Sequence, residues 1–321
     1  MHFTNWKGHQ DSVTCVICDG DRAISGSEDK TIRVWDLKTE TTVNCIVGVF
    51  NDAVMSVVSN PTKSHQVFAA AGKTIYEFDL RNYDVCLKEY SNCFSENDDD
   101  ISQIVIDDDG HYLASADDSG SVSIYNLWTE QNEITVTDMH SNICSSVMFY
   151  REGRNVSVIS GGMDFKVYNW NLEGDVLHEW SINPSQDPGT SYINPPFVTS
   201  LCKDYRSNNI FCSCGDGSLR QLLFNNNEYL QEVNTSTRPH YAACTQVLSA
   251  YNSEGTHLLI GAGDDMKISV SSNTGNTKYD QQLHVKLRNK PNCCAFVDSS
   301  SPSSILVAST AQYILNIHGI A

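Results

Sequence analysis

Basic residues are scarce in this 321-residue chain. It carries 21 Lys and Arg against 39 Asp and Glu, a formal net charge of −18. A field of that sign repels phosphate backbones and anionic lipid surfaces. The expected partners are therefore proteins, with no nucleic acid and no membrane. No stretch approaches the ~18 apolar residues of a membrane span. The opening "MHFTNWKGHQ" has no apolar core of signal-peptide type. A cytoplasmic or nuclear location is the expectation. The chain has neither a GxxxxGK[ST] phosphate loop nor a G-x-S-x-G elbow. "GAG" at 261–263 falls in a strand turn, not before a helix. No cofactor is expected.

Cysteine, by contrast, is plentiful at twelve. In a reducing compartment these read as thiols within strands. Cys15-x-x-Cys18 is half of a zinc pattern, but "SVTCVIC" alternates like a strand and no second well-spaced pair follows. Cys212-x-Cys214 and Cys293-Cys294 have the wrong spacing. No metal site is expected.

Helical periodicity is also missing, and a repeat takes its place. "GSEDKTIRVWD" (26–36) has small residues, an acidic turn, then β-branched alternation into an aromatic. Related stretches end at Phe78, Tyr125, Trp170, Leu222, Ser271 and Ile317, spaced 43 to 52 residues apart. Seven units of that length match propeller blades. Within each, the period is two, with turn residues between runs. The expected fold is all-β: a seven-bladed β-propeller of four-stranded antiparallel blades, one domain over 1–321, and a monomer.

Two units carry a fuller pattern. Ser25 and Asp29 stand ten and six residues before Trp35, and His9 precedes it by 26. Ser160 and Asp164 stand likewise before Trp170, with His140 thirty residues ahead. A buried chain follows, in which imidazole bridges Asp and Ser and the Ser meets the indole N–H. Ser, His and Asp together invite a catalytic reading. Recurrence with the repeat argues against it, since an active site is unique. No catalytic residue is assigned.

With Gly8-His9 and Trp35-Asp36 as paired marks, the sequence resembles the WD-repeat proteins over essentially its whole length. That resemblance implies a scaffold that presents loops and edges to partners, usually without catalysis. The ring is then expected to close through His2–Trp6, as fourth strand of the blade ending in "QYILNIHGIA". "WKGHQDSVTC", "LASADDSGSVSIYNL", "HSNICSSVMF" and, more weakly, "IFCSCGDGSLR" resemble one group within the family. A long basic insertion that the resemblance would place in the sixth blade is missing here. The group looks like substrate receptors of cullin-RING ubiquitin ligases. Such receptors dock the ligase adaptor through an aromatic-Asp-x-Arg box closing a blade's third strand. "FDLR", with Phe78, Asp79 and Arg81, fits that box. "WDLK" (35–38) has a lysine, which lacks the planar fork, and "YNLW" (125–128) and "WNLE" (170–173) lack the basic residue altogether.

Rival readings remain open. Arg81 in a turn can instead pair locally, with Asp84 three residues on. A guanidinium locked onto its own blade would favour a scaffold in some other complex. A propeller hydrolase is a further alternative and would need a unique nucleophile in a pocket. Glu96, Asp98, Asp99 and Asp100 in "SENDDDIS" form a solvated loop or receive a basic peptide near the axis. The EF-hand glycine is absent from them. "INPSQDPGTSYINPPF" (182–197), rich in breakers, reads as an extended surface arm.

Overall fold

A computed structural model describes residues 1–81, 85–153, 155–182, 194–207, 209–225, 229–273, 279–298 and 303–319. Among them are 29 strands and no helix. The strands sort into seven sheets, each strand beside its sequence neighbour apart from the departures described below. This is a seven-bladed β-propeller. The innermost strands begin at Val13, Val54, Ile101, Cys144, Val198, Cys244 and Pro291.

The burial gradient across a blade follows from this stacking. The second strands His257–Gly263 and Ser304–Ser309 are buried at every residue, because blades pack on both their faces. Outer strands such as Val176–Ser181 are mostly open to solvent. Small residues in the second strands let neighbouring blades approach. A Cβ on Gly26 would lie 2.6 Å from Val54 Cγ1, and one on Gly161 2.6 Å from Val198 Cγ1. Each interface has its own apolar core. Between the first two blades, for example, Ile24, Val34 and Ile46 meet Val54, Val67 and Phe78.

Side chains also stitch the inner strands into a ring. Ser145 Oγ donates to the Val198 carbonyl at 2.6 Å, Thr245 Oγ1 to the Pro291 carbonyl at 3.3 Å, and Asn292 Nδ2 to the Val13 carbonyl at 2.8 Å. The last of these bonds joins blade seven to blade one. At the same seam His2–Lys7 pairs antiparallel with Tyr313–His318, register His2 to His318 through Lys7 to Tyr313. The chain's first strand thus supplies the outer strand of its last blade.

The first sheet departs from four antiparallel strands. Cys86–Leu87 pairs parallel with Thr41–Ile46 as a fifth, outermost strand. These residues belong to the second blade's connection between its third strand, Thr74–Asp79, and its short outer strand, Asn92–Phe94. The long connection crosses to the open edge of blade one. There Cys45 N donates to the Val85 carbonyl at 2.9 Å and Val47 N to the Leu87 carbonyl at 3.1 Å. Edge groups otherwise left to water gain partners.

Candidate functional site

The buried polar chains come first, because they decide what is structural. Trp35 Nε1 donates to Ser25 Oγ at 2.8 Å, and Ser25 Oγ lies 2.8 Å from His9 Nε2. His9 Nδ1 lies 3.0 Å from Asp29 Oδ2. With the serine oxygen accepting from the indole, its own proton goes to Nε2, and Nδ1–H goes to the carboxylate. Burial alone would push the Asp29 carboxyl up. Hydrogen bonds from His9, Thr31 and the Gln10 amide outweigh it and hold the group below its usual value. In the fourth blade His140 sits 2.9 Å from both Asp164 Oδ1 and Ser160 Oγ, and Trp170 Nε1 donates to Ser160 at 3.4 Å. Ser25 and Ser160 have no exposed surface. An external substrate cannot reach either hydroxyl.

Two further chains escape the sequence pattern. His240 bridges Asp265 at 2.8 Å and Ser269 at 3.0 Å. Asp265 holds the expected place six before Ser271, but the serine has moved. Gly261 occupies the second-strand position, and its cross-strand partner Ser269 supplies the hydroxyl. In the third blade Asn97 replaces the histidine, accepting from Ser115 Oγ at 2.7 Å and donating to Tyr125 OH at 3.0 Å. The signal was Ser115, ten residues before the aromatic position.

Asn97 lies inside the acidic stretch and anchors it. Glu96, Asp98 and Asp100 around it are exposed, and Asp99 pairs with Lys73 at 3.5 Å. None of these carboxylates lines the central cavity. They sit on the connection between blades two and three. In an antiparallel blade that end is opposite the turns closing third strands.

The aromatic-Asp-x-Arg box divides into a core part and a surface part. Phe78 is 1 % exposed, with its ring 5.7 Å from that of Phe50. It is a core residue and offers a partner no contact, which corrects its reading as partner-binding. Asp79 caps the turn, accepting from Arg81 N at 2.9 Å and Arg81 Nε at 3.0 Å. Arg81 Nη2 reaches the other carboxylate oxygen. The guanidinium's hydrogen bonds, with the Arg81 amide, pull the Asp79 carboxyl down to about 2. The local partner of Arg81 is therefore Asp79, within its own box; Asp84 lies outside the described residues. The capping role is general. Asp36 accepts from Lys38 N at 3.0 Å, and Asn126 from Trp128 N at 2.9 Å. What singles out the second blade is the arginine, whose side chain remains 69 % exposed.

The next blade carries an exposed aromatic that the sequence pattern did not single out. Trp128, in the corresponding turn of blade three, is 69 % exposed and meets His111 edge-on at 4.3 Å. Glu130 of that turn accepts from Asn92 Nδ2 of blade two at 3.3 Å. The turns between first and second strands open at this same end. There they frame the mouth of a central cavity of about 1460 Å³, with Asp21, Asp108, Tyr205, Arg206 and Asp298 among its lining. Arg206 lies 4.0 Å over the Tyr251 ring, whose hydroxyl donates to the buried Asp204 at 2.9 Å. Residues 183–193, most of the proline-rich stretch, lie outside the described residues.

Comparison with known proteins agrees with this architecture. Residues 2–36 and 86–126 match the family model "WD domain, G-beta repeat". The chain is 28% identical to the WD repeat-containing protein 53 homolog of Dictyostelium discoideum, across 90% of this chain and 87% of that one. A kinesin-like protein of Homo sapiens is 21% identical over 71% of this chain and 14% of its own length. WD repeat-containing protein 37 of Homo sapiens is 50% identical over 12% of this chain and 8% of its own.

Proposed function

We propose that this seven-bladed propeller, two segments of which match the WD-repeat model, acts as a non-catalytic scaffold and that its Asp79/Arg81 corner docks the adaptor of a cullin-RING ubiquitin ligase. The supporting observation is the exposed guanidinium of Arg81 closing the second blade's third strand. Asp79 holds the fork in one orientation, and among the described residues its outer edge has no other partner, which leaves it for a partner's carboxylate or carbonyl. Trp128, exposed in the corresponding turn of the next blade, would add a large apolar contact, and arginine and tryptophan are both enriched in interface hot spots. The same end holds the cavity mouth, so adaptor and substrate would approach one face and not two opposite faces.

The Asp79–Arg81 pair itself favours the second reading, a scaffold of another complex. A surface pair of this kind forms without any partner and adds little stability. Affinity capture from native lysate separates the two, comparing wild type with Arg81→Glu at matched melting temperatures. Adaptor and cullin present with wild type and lost with the variant support docking. Their absence from both leaves the scaffold reading.

A further inference from the structure

Among the twelve free cysteines, two meet at the place where the second blade's connection crosses to the first blade. Cys45 Sγ and Cys86 Sγ are 2.8 Å apart. The two residues are direct partners in the parallel register. Neighbouring strands run ~4.8 Å apart, inside the roughly 4.4–6.8 Å Cα separation that a disulfide spans. The backbone is fixed on both sides, by the bonds from Cys45 N to Val85 and from Val47 N to Leu87. Cys86 is exposed and Cys45 half-buried. The buried pair Cys212 and Cys214, by contrast, has no surface.

We propose that Cys45 and Cys86 are a redox modification site, closing into a reversible disulfide when the protein meets a peroxide. The Cys86 thiolate attacks the peroxide, the O–O bond breaks, and sulfenic acid and hydroxide result. Cys45 sulfur then attacks Cys86 sulfur. The S–O bond breaks as the Cys45 proton goes to the leaving hydroxyl, which departs as water. Two thiols are oxidised to one disulfide, and one peroxide is reduced to two waters. The order follows from the surroundings. Cys86 is the sulfur open to the oxidant. Burial and the neighbouring sulfur push the Cys45 thiol up to about 11, against the pull of Arg33. In a reducing compartment such a bond is transient, which suits a sensor.

Closure would fasten the strand Cys86–Leu87 to blade one. Reduced, that strand is held by two paired residues. The covalent loop from 45 to 86 encloses the Asp79/Arg81 turn, yet the proposal is independent of what docks there.

The test is a non-reducing peptide mass map of the full chain after limiting hydrogen peroxide and alkylation. The expected product is one peptide pair joined through Cys45 and Cys86, lost on treatment with dithiothreitol. Cys45→Ser is expected to leave Cys86 trappable by dimedone as sulfenic acid, with an unchanged circular dichroism spectrum. Two results would overturn the proposal. One is that both thiols alkylate freely while other cysteines oxidise. The other is that Cys86 proceeds to sulfinic acid, or joins a different cysteine, while Cys45 still alkylates.

Discussion

The indole of Trp6 lies 5.8 Å from that of Trp35, and this contact is the seam of the ring. Trp6 comes from the strand that completes blade seven, and Trp35 from blade one. Both are 1 % exposed. Removing such a side chain from a packed core costs about 3–5 kcal/mol. Trp6→Ala is expected to lower the melting temperature sharply in calorimetry, and deletion of residues 1–7 to lower it further. A deleted chain that melts with wild type would mean the ring does not depend on this strand.

The polar chains predict a ranking. Ser25→Ala strands both the Trp35 N–H and His9 Nε2, each a buried group costing about 1–3 kcal/mol when left unpaired. Ser269→Ala strands His240 Nε2 and gives up a long 3.4 Å bond to the Gly261 carbonyl, but no indole N–H, because Ser271 stands where the indole would be. Urea denaturation should therefore find Ser25→Ala the more destabilised. The reverse order would show that the indole bond contributes nothing.

Those chains were half legible in the sequence, and the reason is physical. The fold announced itself because the aromatic position and the acidic turn recur in one register. The third chain was hidden because a hydroxyl can reach His240 from either of two paired strands, and linear spacing records only one. The fourth was hidden because Asn97 and Tyr125 meet the same hydrogen-bonding need with different side chains. The parallel strand Cys86–Leu87 left no signal, since two residues carry no period. Phe78 was correctly placed in the repeat, but its burial, not its chemistry, decides what it does.

Asp29 sets an acid dependence. Its carboxyl is held below the usual value in the folded state. Its contribution is thus fully present above the unfolded pKa of about 3.9 and is lost as pH falls below that toward the folded pKa. Asp164 behaves in the same direction, with bonds from His140 outweighing its burial. Stability measured by urea titration from pH 5 downward should fall more shallowly in Asp29→Asn than in wild type. Parallel curves would assign acid sensitivity to other groups.

Phe78 and Arg81 separate core from surface within four residues. Phe78→Ala should cost about 3–5 kcal/mol of stability, measured by denaturant titration. Arg81→Glu should leave the melting temperature close to wild type. Equal losses from the two would place the arginine in the structural machinery of the blade.

The most direct test of the docking account is calorimetric titration of the purified ligase adaptor into wild type, Arg81→Lys and Arg81→Glu. Lysine keeps the charge and loses the fork, while Asp79 continues to cap the turn. Docking through Arg81 should give measurable binding to wild type, roughly tenfold or more weakening in the lysine variant and none detected with glutamate. Equal affinity across all three, or no binding to wild type, would contradict it.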